Sequence, residues 1–77
     1  MNFGKVFKEV REKMDLSQRA MAKKIDLTPS ALWKIESGKS QPKQETIKKL
    51  CYVGDIPMAY FYKLATELDD FLFPPRP

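Results

Sequence analysis

The chain has 77 residues, 43% of them hydrophobic, and fourteen Lys/Arg against ten Asp/Glu give a formal net charge of +4. That length suits one small domain, and the apolar fraction is too high for a chain disordered throughout. With no histidine and a single cysteine, Cys51, an intrachain disulfide, a cysteine-based zinc site and the commonest catalytic base are all excluded.

From the amino terminus, Phe3, Val6, Phe7, Val10 and Met14 recur at helical spacing and predict a first helix over about 3–14. Asp15 stands where that helix must stop, and aspartate tolerates the left-handed backbone better than most residues. Ser17 has the form of an N-cap for a second helix over roughly 18–25. One face of it carries Met21, Ala22 and Ile25, and Arg19, Lys23 and Lys24 lie elsewhere. After the short break Asp26-Leu27-Thr28, a third helix is expected from Pro29 to about Ser37. Thr28 suits its cap, Pro29 its first position and Gly38 its stop. A basic loop follows, then a fourth helix over roughly 44–53 with Ile47, Leu50, Cys51 and Val53 turned inward, ended by Gly54. A fifth helix is expected from Pro57 to about Asp70, because the prolines of the tail from Phe71 onward cannot continue it. No useful period-two alternation, internal repeat, membrane-length apolar run or signal-peptide pattern is present. The fold class is all-α, and the expected location is cytoplasmic.

The second and third helices, with three or four residues between them, form a candidate helix-turn-helix. Such a unit needs a small residue where the helices cross, and Ala22 fills that place. It needs a residue tolerant of unusual backbone in the turn, here Asp26. It also needs an apolar set to fix the interhelical angle, here Met21, Ile25, Leu27, Leu32 and Ile35. Each feature alone is weak, but together and in this order they are strong.

The run LSQRAMAKKIDLTPSALWKIESGKSQP (16–42) resembles the helix-turn-helix of phage repressor and Cro proteins and of bacterial regulators of the xenobiotic-response-element type. The resemblance covers about residues 3–54. It implies a compact, five-helix, lambda-repressor-like fold whose second and third helices meet DNA. Asp26 stands where the family has a turn glycine, and Pro29 removes a backbone donor at the start of the third helix. The resemblance further implies an ion pair, Arg11 with Glu36, tying the first helix to the third. Independently, Glu36 adjoins core position Ile35, where an unpaired charge would be costly; the alternative is that both are solvated surface charges. Gln18 resembles a family residue that hydrogen-bonds a phosphate and props the start of the third helix.

If the third helix enters a major groove, Leu32 and Ile35 face inward, and positions 28, 29, 30, 33 and 34 face the groove or flank it. Thr28 then either only caps the helix or also touches DNA. Pro29 flanks it, Ser30 donates to a base edge or phosphate, and Lys34 reaches guanine acceptors or the backbone. Trp33, the only tryptophan, either lies along the DNA-facing flank or covers the seam with the fourth helix. Lys39, Ser40 and Lys43 in the loop have family-like spacing for backbone contacts, and Arg19 and Lys23 are further phosphate candidates. Such contacts set register and make binding salt-dependent. Residues 1–54 carry twelve Lys/Arg and six Asp/Glu, whereas residues 55–77 carry two and four. This basic body suits a polyanion or is simply a solubilising surface.

The organisation expected is one domain over residues 1–77: a DNA-binding body (3–54), a C-terminal helix and dimerisation segment (55–73) and a tail (74–77). Met58, Tyr60, Phe61, Tyr62, Leu64, Leu68 and Phe71 supply more apolar surface than a body of this size covers. One stripe of it is expected to complete the domain's own core and the remainder to join two copies. The expected function is a sequence-specific, double-stranded-DNA-binding transcriptional regulator, a homodimer on an inverted repeat, similar to phage repressors or restriction-controller proteins. The alternative is an antitoxin or other protein-interaction module using the apolar C-terminal helix. No enzyme, metal or cofactor is expected, since no catalytic constellation can be assembled and Cys51 occupies an apolar helix position.

Overall fold

A computed structural model describes the backbone of residues 2–72 and the side chains of residues 2–67. Five helices follow in order: α1 (Phe3–Lys13), α2 (Gln18–Lys24), α3 (Pro29–Glu36), α4 (Gln44–Gly54) and α5 (Met58–Leu72). Their starts have local causes. Asn2, Ser17 and Thr28 each turn a side-chain oxygen onto the backbone N–H three residues on, at 3.1 Å in every case. Each bond satisfies one of the amides that the first turn leaves without a carbonyl partner. Pro29 occupies the first position of α3, where no donor is needed.

Pro57 behaves differently from Pro29. It lies just before α5 instead of within its first turn, and its carbonyl accepts the first helical bond, from the Phe61 amide at 3.1 Å. At the other end α5 runs to Leu72, two residues beyond the expected stop at Asp70. The first tail proline, Pro74, disfavours helix only for the residue before it, so Phe71 and Leu72 are not barred from the helix.

The ends of α1, α2 and α4 share one device. Asp15, Asp26 and Asp55 all have left-handed backbone, with φ of 58°, 58° and 54°. Each is followed by an apolar residue whose amide reaches back into the last turn of the preceding helix. Leu16 donates to the Arg11 carbonyl at 3.1 Å, Leu27 to Ala22 at 2.8 Å and Ile56 to Cys51 at 3.0 Å. Leu16, Leu27 and Ile56 then pack against the core, the hydrophobic contact that accompanies this kind of helix stop. Gly54 is thus the last helical residue of α4, and the reversal expected of it falls on Asp55. Gly54 has a packing role instead: a Cβ there would stand 2.8 Å from Val10 Cγ1.

The core joins all five helices. Val6 and Phe7 of α1, Met21 and Ala22 of α2, Leu32 of α3, Leu50 of α4 and Phe61 and Ala65 of α5 have no solvent exposure. Phe61 is therefore not available to a second copy, a correction to its expected place among the dimerisation residues. Its ring lies edge-on to Phe7 and stacked on Phe3, at centroid distances of 5.8 and 5.7 Å, so it is the stripe of α5 that closes the domain's own core. Met58, Tyr62 and Leu64 are half-buried against that core, and Tyr60 is exposed. The side chains of Leu68 and Phe71 lie outside the described residues.

Helix α1 is the central strut, packed on α3 along one side and on α5 along another. Gly4 permits the first contact, since a Cβ there would meet the Ile35 carbonyl oxygen at 2.4 Å. Phe3 makes the second, and the Asn2 amide adds a bond to the Ala65 carbonyl at 3.1 Å.

Candidate nucleic-acid interface

The residues between α2 and α3 are Ile25, Asp26, Leu27 and Thr28. Ile25 is buried, Leu27 half-buried, and Asp26 takes the left-handed turn where the resemblance placed glycine. The small side chain of Ala22, fully buried, lies in the crossing. Lys49 of α4 holds the turn from outside, its Nζ 3.2 Å from Asp26 Oδ2 and 3.8 Å from Glu45 Oε1.

With Leu32 and Ile35 in the core, the 100° step of a helix turns Ser30, Trp33, Lys34 and Ser37 outward together. All four are exposed, as are Thr28 and Pro29 at the helix start. The Thr28 hydroxyl accepts from the Ala31 amide, so it caps α3, and its own proton is left to donate outward.

Glu36 is the one acidic residue of α3, and it is occupied. Arg11 Nε donates to its Oε2 at 2.9 Å and Nη2 to its Oε1 at 3.1 Å, while Nη1 donates to the Leu16 carbonyl at 2.9 Å. The two side chains are only 14% and 5% exposed, which rules out the reading as two solvated surface charges. The hydrogen bonds to Glu36 hold the Arg11 guanidinium charged above its already high ordinary value.

Gln18 joins this group, its Nε2 donating to Glu36 Oε1 at 3.1 Å. It therefore props the end of α3, not the start expected from the resemblance. An amide nitrogen carries two protons, so one N–H remains for an outside acceptor such as phosphate.

Trp33 is 45% exposed. It lines a cleft with Lys8, Arg11, Gln18, Glu36 and Ser37, on the α1 and α2 side of α3. No α4 residue takes part, so the alternative that it covers the seam with α4 is not what the fold builds. Lys39 reaches over the ring, its Nζ 4.5 Å from the centroid. The loop turns back to allow this: Gly38 has φ +80°, and the amides of Lys39 and Ser40 donate to the Lys34 carbonyl at 2.8 and 3.2 Å.

The sequence-expected residues thus divide around α3. Gln18, Trp33 and Lys39 share the flank toward α1 and α2. Ser40 and Lys43 lie on the opposite flank, beside Ala31 and the start of α4. Ser30 and Lys34 stand between. Arg19, on the first turn of α2, and Lys23, near its end, are exposed. Sequence reasoning missed Gly4, which sets how closely α1 approaches α3, and Lys8, which lines the tryptophan cleft. The second was within reach: Lys8 and Arg11 are one helical turn apart, so the face of α1 that carries Arg11 to Glu36 also carries Lys8.

Cys51 is buried, and desolvation pushes its thiol above the ordinary value, so it is packing, not a nucleophile. Among the described residues no His/Cys/Asp/Glu group could hold a metal ion, and no helix is long and apolar enough to cross a membrane.

A helix-turn-helix whose third helix presents a polar and aromatic stripe between two lysine-bearing flanks, with its one carboxylate neutralised, defines a DNA-binding regulatory domain. The family model described as Helix-turn-helix (HTH_3) matches residues 7–61, from α1 into α5. The chain belongs to this Cro/C1-type helix-turn-helix family, also called the xenobiotic-response-element family, a family of DNA-binding domains that is typically non-enzymatic. A search of curated proteins found no match to the chain.

Proposed function

We propose that this chain is a sequence-specific, double-stranded-DNA-binding transcriptional regulator of the phage-repressor or restriction-controller kind, acting as a homodimer on an inverted repeat. The observation that carries the reading is the outward stripe of α3. Ser30, Trp33 and Lys34 are exposed on a helix anchored at both ends, by the Thr28 cap and by the Arg11–Glu36–Gln18 group. Ser30 and Lys34 read base edges, while Gln18, Arg19, Thr28, Lys39, Ser40 and Lys43 hold phosphates.

One recognition helix reads only a few base pairs, so a two-fold pair of domains is needed for useful specificity. Helix α5 packs on α1 and α4, whereas α3 packs on α1 and α2, and a partner on α5 leaves the reading face open. Tyr60 and Leu64 of α5 line an apolar groove with Val10, Met14 and Ile56, and this groove supports a dimer contact through Tyr60 and Leu64, whereas Met58 and Tyr62 lie on the other side of the buried Phe61 and Ala65.

The test is selection from random duplex DNA at two salt concentrations, with sedimentation of the same protein. An enriched inverted repeat with half-sites about ten base pairs apart, bound by a dimer, is the expected result. A monomer that enriches no sequence overturns the reading and moves the α5 groove to a different protein partner, as in an antitoxin.

A further inference from the structure

The groove between α1 and the start of α5 has a shape and a charge that a helix laid on α5 does not match. It encloses about 80 Å³ between Val10 and Met14 of α1, Ile56, and Tyr60 and Leu64 of α5. A helix is about 10 Å across, too wide to enter. Two charged residues, Glu9 and Lys13, complete the lining. Lys13 is exposed to water, whereas Glu9 is half-buried and has no ion-pair partner among the described residues. A carboxylate at the edge of apolar surface favours a cation beside it.

The occupant that fits is a slender apolar segment carrying one cation, and this sequence contains one. Residues 73–77, which follow α5, read FPPRP. Prolines favour the extended polyproline conformation, which docks against exposed aromatic rings at little entropic cost, and Tyr60 is exposed at this groove. The segment of the same chain falls short. From Tyr60 to Leu72 the helix advances about 18 Å away from the groove. Residues 73–77 in polyproline form span only about 16 Å, before any reversal of direction. A second copy brings its segment to the right place. A two-fold axis crossing α5 at Leu64 runs the two helices antiparallel. It sets the partner's Leu72 opposite Ile56, because the two positions are equally far from Leu64 in the sequence. We infer that residues 73–77 of each copy fill the α1–α5 groove of the other, the prolines against Tyr60 and Met14 and Arg76 on Glu9. This rests on the homodimer proposed above and names what enters its groove: each site is complete only with the other copy's residues.

The test is sedimentation of the full chain, as wild type and as charge variants. Arg76→Glu and Glu9→Arg are each expected to raise the dimer dissociation constant about tenfold, because a modest ion pair occurs twice in a two-fold dimer. Combining the two reversals should return it to the wild-type value. Pro74→Gly with Pro75→Gly should weaken the dimer as well, by freeing the unbound segment. A second measurement shows whose segment is seated. With Glu9→Cys and Arg76→Cys in one chain, oxidised glutathione should give a cross-linked dimer on a non-reducing gel. The wild type, whose Cys51 is buried, is the control. A link closed within one chain assigns the segment to its own groove and overturns the inference. A dissociation constant that the reversals leave unchanged also overturns it, while the homodimer stands. A wild type that stays monomeric at every concentration removes the homodimer reading itself, and the inference with it.

Discussion

Arg11 and Glu36, twenty-five residues apart, face each other across the α1–α3 interface with two parallel N–H···O bonds of 2.9 and 3.1 Å. This side-by-side geometry is available to arginine and not to lysine. Because Glu36 also takes the Gln18 amide, one carboxylate fixes the ends of three helices, α1, α2 and α3, relative to one another. The orientation of α3 therefore depends on a carboxylate that is almost wholly buried.

The first prediction follows from the burial of that pair. Arg11→Ala leaves a carboxylate 5% exposed with only an amide beside it, and breaking such a pair costs roughly 3 kcal/mol. Replacing both partners, as Arg11→Met with Glu36→Leu, should recover much of that loss, because the desolvation penalty goes with the charges. Urea denaturation of the two single variants and the double provides the check. A double variant as unstable as the sum of the singles would show that the pair is not the coupling element.

Gly4 gives a prediction in which two effects oppose each other. On helix propensity alone, Gly4→Ala inside α1 should stabilise by about 1 kcal/mol. The added methyl, however, would lie 2.4 Å from the Ile35 carbonyl oxygen and 3.0 Å from that of Glu36. Backbone on the far side cannot rotate away, so α1 and α3 must separate, and overpacking of this kind costs about 1–3 kcal/mol. We expect Gly4→Ala to lower the melting temperature and to weaken the Arg11–Glu36 bonds at the same interface. A higher melting temperature would mean that α1 slides freely on α3.

Much of this fold is legible in the sequence, because its signals are local. Caps at Ser17 and Thr28, the proline at the start of α3 and the helical spacing of Phe3, Val6, Phe7 and Val10 place the elements within a residue or two. The resemblance over about residues 3–54 supplies the pairing of Arg11 with Glu36, which no spacing rule gives. What was illegible depends on distance in space. Phe61 looks like its aromatic neighbours Tyr60 and Tyr62 until its ring is found between Phe3 and Phe7. Gly4 looks like a mild helix weakness until Ile35 is seen against it. Gln18 could have propped either end of α3, and only the position of Glu36 decides.

The three left-handed aspartates permit a graded prediction. A non-glycine residue in this conformation carries a penalty of about 1–2 kcal/mol, eased for aspartate. Glycine removes it but gives the unfolded chain more freedom. Asp15→Gly and Asp55→Gly are each expected to stabilise by about 0.5 kcal/mol, and because the turns are separate the gains should add. Asp26→Gly should gain least, since it also loses Lys49, although that pair is exposed and worth about 0–1 kcal/mol. Thermal melts of the singles and of the Asp15→Gly, Asp55→Gly double measure this. If alanine at these sites proves as good as glycine, backbone conformation is not the cause.

The last prediction separates reading from holding. Ser30 and Lys34 project from the outward face of α3, while Lys39 lies against Trp33, 4.5 Å from the centre of its ring, on the flank. Ser30→Ala and Lys34→Ala should each change which sequence is preferred, with a loss of about 1–3 kcal/mol at the preferred base pair and little at random DNA. Lys39→Ala should weaken all duplexes alike and reduce the salt slope by about one. Repeating the random-duplex selection with each variant distinguishes the two behaviours. The division holds only if the motif shifts for the α3 pair and stays fixed for Lys39. A motif that moves with Lys39 would place the loop lysine in the groove and α3 nearer the backbone, with the domain rotated about the Trp33 flank.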